Sequence, residues 1–267
     1  MGHGKLRKFA ENETFSCLLQ PSPYDILAGR GKDFALKDYP VKGKWNGEMF
    51  PVSRPIVLEL GCGRGEYTID LARRNPLCNY IGVDIKGARL WRGAKQATLE
   101  KMENVAFLRT RIEFIEAFFA PEEISEIWLT FSDPQLHHEN SRLSSPMFLN
   151  RYRKFLAPGG IIHLKTDSTF LYQYTLALCR ENGLSVLAST EDLYSDGATA
   201  QSAIRPEVFE VHTYYETMFS RQGYKIKYLC FTLPQGADGV ITSPKDFDAD
   251  YWRSVEGPRH SVAIPDL

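Results

Sequence analysis

The chain reads as a doubly wound α/β domain on a mainly parallel seven-stranded sheet whose last strand runs antiparallel. Three observations predict it. Short aliphatic runs alternate with segments of helical period from residue 54 onward, which implies right-handed crossovers and a sheet covered on both faces. The first run ends directly in Gly61-Cys62-Gly63-Arg64-Gly65, the kind of strand-to-helix turn that faces ligands in open α/β sheets. A strand, helix, strand pattern between residues 185 and 233 closes the series.

Residues 1–53 precede this pattern. They carry two local basic groups, Lys5, Arg7 and Lys8, then Arg30, Lys32, Lys37, Lys42 and Lys44 among glycines and prolines. Taken alone, these read as a solvated N-terminal arm. Pro55 introduces the first strand, IVLEL, and EYTIDLARRN follows as a helix stopped by Pro76. The alternation continues with a strand at 79–85, a helix at 87–102, a strand at 105–111 and a strand at 126–131. A helix at 147–156, a turn at Gly159-Gly160, a strand at 161–167 and a helix at 170–182 come next. SVLAST (185–190) is a strand, and a polar loop with Asp192, Asp196 and Gly197 leads to a helix over 211–223 ended by Gly223. KIKYLCFTL (225–233) then forms a late hairpin closing the sheet edge. The regular apolar period stops at Pro234, so 54–234 is one domain and 235–267 is expected to be a loosely attached tail.

Composition narrows the function classes. Of 267 residues 43% are hydrophobic and 24% charged, ordinary for one globular domain with appendages, and the net charge of -1 carries no bulk nucleic-acid signature. Any basic surface must be local. No apolar run approaches a membrane span and none follows the basic N-terminus, so a cytoplasmic protein is expected. Cys17, Cys62, Cys78, Cys179 and Cys230 show no CxxC pairing, which points to small hydrophobes rather than disulfides or zinc. His137-His138 lacks further ligands at sensible spacing, so no metal is assigned. Asn12-Glu13-Thr14 fits a glycosylation acceptor only formally.

The glycine stretch has GxGxG spacing, with Glu59 two residues before Gly61, rather than the GxGxxG of dinucleotide sites. A phosphate loop is excluded because Asp33 follows Gly31-Lys32 where a hydroxyl is needed. Glycines let backbone N–H groups approach a ligand closely. Asp84 ends the next strand, 19 residues after Gly65, where a carboxylate can accept both hydroxyls of a ribose. With Pro158-Gly159-Gly160 before the fifth strand, these features resemble the class I, Rossmann-like S-adenosylmethionine-dependent methyltransferases.

The loop after the fourth strand, TFSDPQLHHENSR, concerns the acceptor. It lacks the second proline and aromatic of exocyclic-amine methylation, and no Pro-Cys nucleophile occurs anywhere. Several blocks resemble the bacterial single-chain tRNA (guanine-N7-)-methyltransferases: KLRKFAENETF, LELGCGRG, GVD, FSDPQ, LKTD and Thr213-Tyr214-Tyr215-Glu216 with Arg221 and Gly223. That resemblance implies a methyl transfer from S-adenosylmethionine to N7 of a tRNA guanosine, at position 46 in the variable loop, by a monomer or homodimer. It implies that Glu59, Gly61, Gly63, Gly65, Asp84, Arg111 and Asp133 serve the cofactor side. Asp133 would also be the catalytic residue between donor and base, and His137, Asp167, Thr213, Tyr214, Tyr215 and Glu216 would serve the acceptor. Arg111 stands where the family commonly has an acid, and His137 where it has a lysine. The family's basic segment after Asp-Pro is reduced here to His137, His138 and Arg142.

The residues alone keep other readings open. Asp133 before a proline can simply start a turn, Asp167 can cap the next helix, and Thr213 with Glu216 can be an exposed helical pair. Beside tRNA methylation stand methylation of another RNA or a small molecule, and a relative that binds RNA without turnover.

Overall fold

A computed structural model describes residues 3–29, 35–195, 204–234 and 239–256, with the side chains of His3 and Lys5 outside that description. In chain order the strands are β1 (Leu18–Leu19), β2 (Leu27–Ala28), β3 (Ala35–Leu36), β4 (Ile56–Leu60) and β5 (Asn79–Asp84). They continue with β6 (Val105–Arg109), β7 (Ile124–Thr130), β8 (Leu156–Thr166), β9 (Val186–Thr190) and β10 (Lys227–Thr232). The helices are α1 (His3–Asn12), α2 (Pro23–Ile26), α3 (Trp45–Glu48), α4 (Glu66–Arg74) and α5 (Gly87–Leu99). After them come α6 (Pro146–Tyr152), α7 (Thr169–Glu181), α8 (Pro206–Glu210), α9 (Tyr214–Arg221) and α10 (Ala249–Glu256).

The main sheet runs β1-β6-β5-β4-β7-β8-β10-β9, with β2 and β3 paired separately. All seven expected strands are in it. An eighth, the two-residue β1, adds itself parallel to β6 with Leu18 opposite Phe107. Strand β10 is antiparallel to both its neighbours, β8 and β9. The late hairpin therefore does not close the edge as the sequence suggested: β10 inserts and β9 takes the edge. Burial explains the order, because five of the six residues in β10 are buried while β9 is mostly exposed. An apolar strand covered on both faces needs a hydrogen-bonded neighbour on each side.

The expected turn at Gly159-Gly160 is a bulge inside β8. Leu156 pairs with Ile124, yet the next partners are Ile161 and Glu126, so Ala157–Gly160 loops out, with Gly159 at φ 71°.

Residues before Pro55 are not simply a solvated arm. Trp45 is fully buried, its indole N–H donates to the Phe118 carbonyl at 2.9 Å, and its ring stacks on Phe119 at 5.5 Å. Truncating such a side chain costs about 3–5 kcal/mol. Helix α1 lies against α5, where Trp91 and Lys95 donate to the Glu11 carboxylate at 2.8 Å each. Asn12 is 1% exposed and donates to the Gly87 carbonyl, which rules out a glycan there.

The described part of the tail, 239–256, is also better attached than its aperiodic sequence suggests. Ile241 is buried, and the side-chain amides of Asn150 and Asn182 accept from and donate to the backbone of residues 241 and 242, respectively. Phe247 meets Phe170 and Tyr174 edge-on at 5.4 Å, and the Glu256 carboxylate accepts from Phe170 N in the first turn of α7. Helix α9 begins at Tyr214, later than expected, because Thr213 is its N-cap: the hydroxyl accepts from Glu216 N at 2.9 Å.

Candidate active site

The chain leaves β4 toward β5 and β6, then returns to place β7 and β8 on the other side of it. This reversal opens a cleft beyond the carboxyl ends of the strands, about 740 Å³ in volume.

One wall is the glycine turn. Gly61 N and Cys62 N both donate to the Val83 carbonyl, tying the turn to β5. Gly63 N donates to Asp84 Oδ2 at 3.0 Å and Lys86 N to Asp84 Oδ1 at 2.7 Å, so the carboxylate holds the turn and keeps further lone pairs. Gly63 has φ 57°, and a Cβ there would meet nothing within 4 Å, which leaves bare backbone facing the cleft. Gly65 serves packing instead. At φ 74° its Cβ would fall 2.5 Å from the Phe107 ring, so glycine here lets α4 close on the sheet. Glu59 lines the cleft at 3% exposure and accepts from the hydroxyls of Thr68 at 2.5 Å and Thr130 at 2.6 Å. Burial raises its carboxyl to about 7, against the opposing pull of those two hydrogen bonds.

The loop after β7 forms the floor. Asp133 lines the cleft, exposed, and its Oδ1 accepts from Gln135 N at 2.9 Å, the turn geometry that an Asp-Pro pair offers. Phe131 and Gln135 bracket it in the left-handed region at φ 50° and 47°, a strained arrangement for non-glycine residues that clusters at functional sites. Arg142 fastens this loop. It is 4% exposed, donates to the carbonyls of Pro134, Gln135 and Leu136, and lies over the rings of Phe170 and Tyr174 at 4.7 and 4.5 Å. Arg253 of α10 adds a bond to the Leu136 carbonyl at 3.0 Å. Arg142 is thus buried among carbonyls rather than free to grip phosphate.

Asp167, Thr213, Tyr214 and Tyr215 line the opposite wall. Asp167 is 7% exposed and does not cap α7, since the Ser168 hydroxyl accepts from Leu171 N. Glu216 is not at the cleft surface. It is fully buried, with Oε1 2.7 Å from Lys165 Nζ and accepting from the Tyr194 hydroxyl. That excludes the exposed helical pair. Burial pushes the Lys165 ammonium below its usual value, and the Glu216 charge opposes the shift.

A bare backbone turn, a ribose-competent carboxylate, Asp133 on the floor and Asp167 on the opposite wall thus share one cleft. A family profile described as "Putative methyltransferase" matches residues 53–229. The tRNA (guanine-N(7)-)-methyltransferase of Bacteroides fragilis is 47% identical over 262 residues, 98% of each chain. The chain belongs to the tRNA (guanine-N7-)-methyltransferase family. The Porphyromonas gingivalis member is 45% identical over 253 residues, 95% of this chain and 99% of its own. Among solved structures, the 16S rRNA methyltransferase KamB covers 78% of this chain and 100% of its own at TM-score 0.53 and 15% identity. The antibiotic-resistance methyltransferase Kmr aligns over 79% of this chain and 100% of its own at TM-score 0.51 and 15% identity. At that identity these two share the fold alone, the class I methyltransferase sheet.

Four residues that the family resemblance assigned to the site stand apart from the cleft lining: Gly65 and Glu216, placed above in packing and in the Lys165 pair, and Arg111 and His137. Arg111 is exposed and pairs with Glu113 at 2.9 Å. His137 is exposed beyond the Asp133 turn. Of the basic residues expected before residue 54, Lys42 and Lys44 pair with Asp38 and Glu48, Lys37 donates to the Tyr24 carbonyl, and Arg30 and Lys32 lie outside the described residues, as do Asp196 and Gly197.

Residue type and spacing did not point to Lys165 or a buried cluster around His163. His163 stacks on Trp128 at 4.0 Å, and its Nε2–H donates to Glu126, which Arg205 grips through both oxygens at 2.9 and 2.7 Å. Burial pushes the Glu126 carboxyl up, but hydrogen bonds from His163 and Arg205 overcome it and hold it at about 2. Charged residues inside IIHLKT, a strand otherwise reading as buried on both faces, were the available signal. All five cysteines are free. Among the described residues no cluster of three or more His, Cys, Asp or Glu could hold a metal, and no helix is long and apolar enough to cross a membrane.

Proposed function

We propose that this chain transfers the methyl group of S-adenosylmethionine to N7 of a guanosine in tRNA, the one at position 46 in the variable loop. The observation that carries the reading is the joining, in one cleft, of the Gly61–Gly63 cradle and Asp84 with Asp133 of the floor and Asp167 and Thr213 of the opposite wall, in a chain colinear with tRNA (guanine-N(7)-)-methyltransferases over nearly its whole length.

The residues fit the donor. Gly63 offers open backbone where a side chain would intrude, Asp84 keeps lone pairs for a ribose, and Ile85 and Ile112 supply apolar surface for an adenine. When bound, the donor supplies an electrophilic methyl on a cationic sulfur. Guanine N7 has an in-plane lone pair and no hydrogen, so no base has to remove a proton. Orientation and charge placement carry the acceleration. Asp133 and Asp167 would stabilise the cationic ring that forms, and Thr213, Tyr214 and Tyr215 would hold the base. The guanosine must leave its stack to enter, at a cost of a few kcal/mol.

With Arg142 buried and Lys42 and Lys44 paired, phosphate contacts would fall to exposed groups such as Arg7, and to His137 and His138. A tRNA substrate fits a cytoplasmic enzyme. The site draws on one chain, so a monomer and a homodimer both serve it. The test is transfer from labelled donor to tRNA transcripts followed by mapping. Label on N7 of one variable-loop guanosine supports the reading; label on another RNA, on small molecules only, or tight binding without transfer overturns it.

A further inference from the structure

The loop that carries Asp133 is held from two directions. From within, Arg142 donates to the carbonyls of Pro134, Gln135 and Leu136. The tail reaches the same loop from outside: Arg253 of α10 donates to the Leu136 carbonyl at 3.0 Å, and the Ser243 hydroxyl donates to Glu139 Oε2 at 2.9 Å. The tail is itself fixed to the body of the domain. Glu256 accepts from Phe170 N, and Trp252 packs on the core cluster that also takes Leu136. Phe247 meets Phe170 and Tyr174, the two rings that Arg142 lies over. Tyr174 completes the circuit by donating to Glu139 Oε1 at 2.6 Å.

The backbone of this loop is strained. Phe131 and Gln135 stand at φ 50° and 47°, and such residues cost about 1–3 kcal/mol each and persist only when their surroundings over-determine them. Arg142 already satisfies the Leu136 carbonyl at 3.1 Å, so the Arg253 bond is not needed to match a buried acceptor. Its remaining effect is geometric. We propose that the tail is a positioning element for methyl transfer: Arg253, acting through Leu136, fixes where the Asp133 carboxylate stands in the cleft. The inference rests on the reading above, in which Asp133 faces the base that is methylated. A displacement of about 1 Å at a reacting centre can cost about 10²-fold in rate, so a bond three residues from Asp133 can govern turnover.

Arg253→Met keeps much of the side-chain bulk and removes the donor. With tRNA transcript its kcat is expected to fall about tenfold, while KM for tRNA, calorimetric affinity for S-adenosylhomocysteine and melting temperature stay the same. Arg253→Lys should restore part of the rate. Because the effect passes through Asp133, Arg253→Met placed in an Asp133→Asn background should cost little more than Asp133→Asn alone. Hydrogen exchange supplies a readout that needs no substrate: amides of 131–142 should exchange about tenfold faster in Arg253→Met, with those of β4 and β5 unchanged. The proposal is overturned by wild-type kcat in Arg253→Met, by an equal loss in the Asp133→Asn background, by a loss of S-adenosylhomocysteine affinity that matches the loss of rate, or by unchanged exchange. A wild-type enzyme that methylates no tRNA guanosine sinks the parent reading before any variant is made, and the exchange experiment still decides whether the tail holds the loop.

Discussion

Lys165 Nζ and Glu216 Oε1 stand 2.7 Å apart with neither side chain exposed. The same ammonium donates to the carbonyls of Val208 at 2.6 Å and Val211 at 3.0 Å. One side chain of β8 therefore anchors the approach to α9 and α9 itself, the elements that carry the cleft wall with Thr213, Tyr214 and Tyr215.

Removing one partner of such a pair leaves a buried charge unmatched. Lys165→Met should lower unfolding free energy by about 3–5 kcal/mol, and adding Glu216→Gln should recover part of that loss. Urea denaturation of the two variants checks it. Wild-type stability in Lys165→Met would mean that the pair does not hold the wall.

The glycines of the turn should separate by experiment. Gly65→Ala drives a Cβ to 2.5 Å from the Phe107 ring and should lower the melting temperature sharply. Gly63→Ala meets no neighbour, so its fold should lose only the left-handed backbone penalty of about 1–2 kcal/mol, while affinity for S-adenosylhomocysteine falls at least tenfold. Thermal melts and calorimetry on both variants decide it, and intact donor binding in Gly63→Ala would remove that backbone from the site.

Asp133 has two roles to disentangle. Asparagine preserves the turn bond to Gln135 N, because its amide oxygen accepts equally well, but it removes the charge. If the carboxylate stabilises the methylated ring, Asp133→Asn should reduce kcat by about 10²-fold with an unchanged fold. Single-turnover rates near wild type in the asparagine variant would leave Asp133 with only the turn.

Glu59 should make stability fall as pH rises. Its folded pKa of about 7 exceeds the ordinary 4.5, so the folded state binds the extra proton between those values. The resulting stabilisation is complete below about 4.5 and is lost as pH rises through about 7, on the order of 3 kcal/mol in all. Glu59→Gln should flatten this slope in chemical denaturation between pH 5 and 8; parallel slopes in the two proteins would count against the assignment.

Much of this molecule was legible in its residues because the signals were local. Most strand and helix periods, the glycine turn after β4 and the acid at the end of β5 each act through a few neighbouring positions, and each appeared where it was expected. Leu18 and Leu19 gave no such signal: β1 pairs only because the chain returns to β6. The tail likewise lacks a period because Phe247 and Glu256 are held by residues of α7, in the case of Glu256 by Phe170, 86 positions earlier.

By itself, the sequence determined the fold class and the family, since the alternation of strands and helices and the motif blocks follow from residue type and spacing. Only the tertiary structure decided which charges face the cleft. Glu216 turns inward to Lys165 and Arg142 is buried on Phe170 and Tyr174, because burial and pairing depend on what distant segments bring alongside.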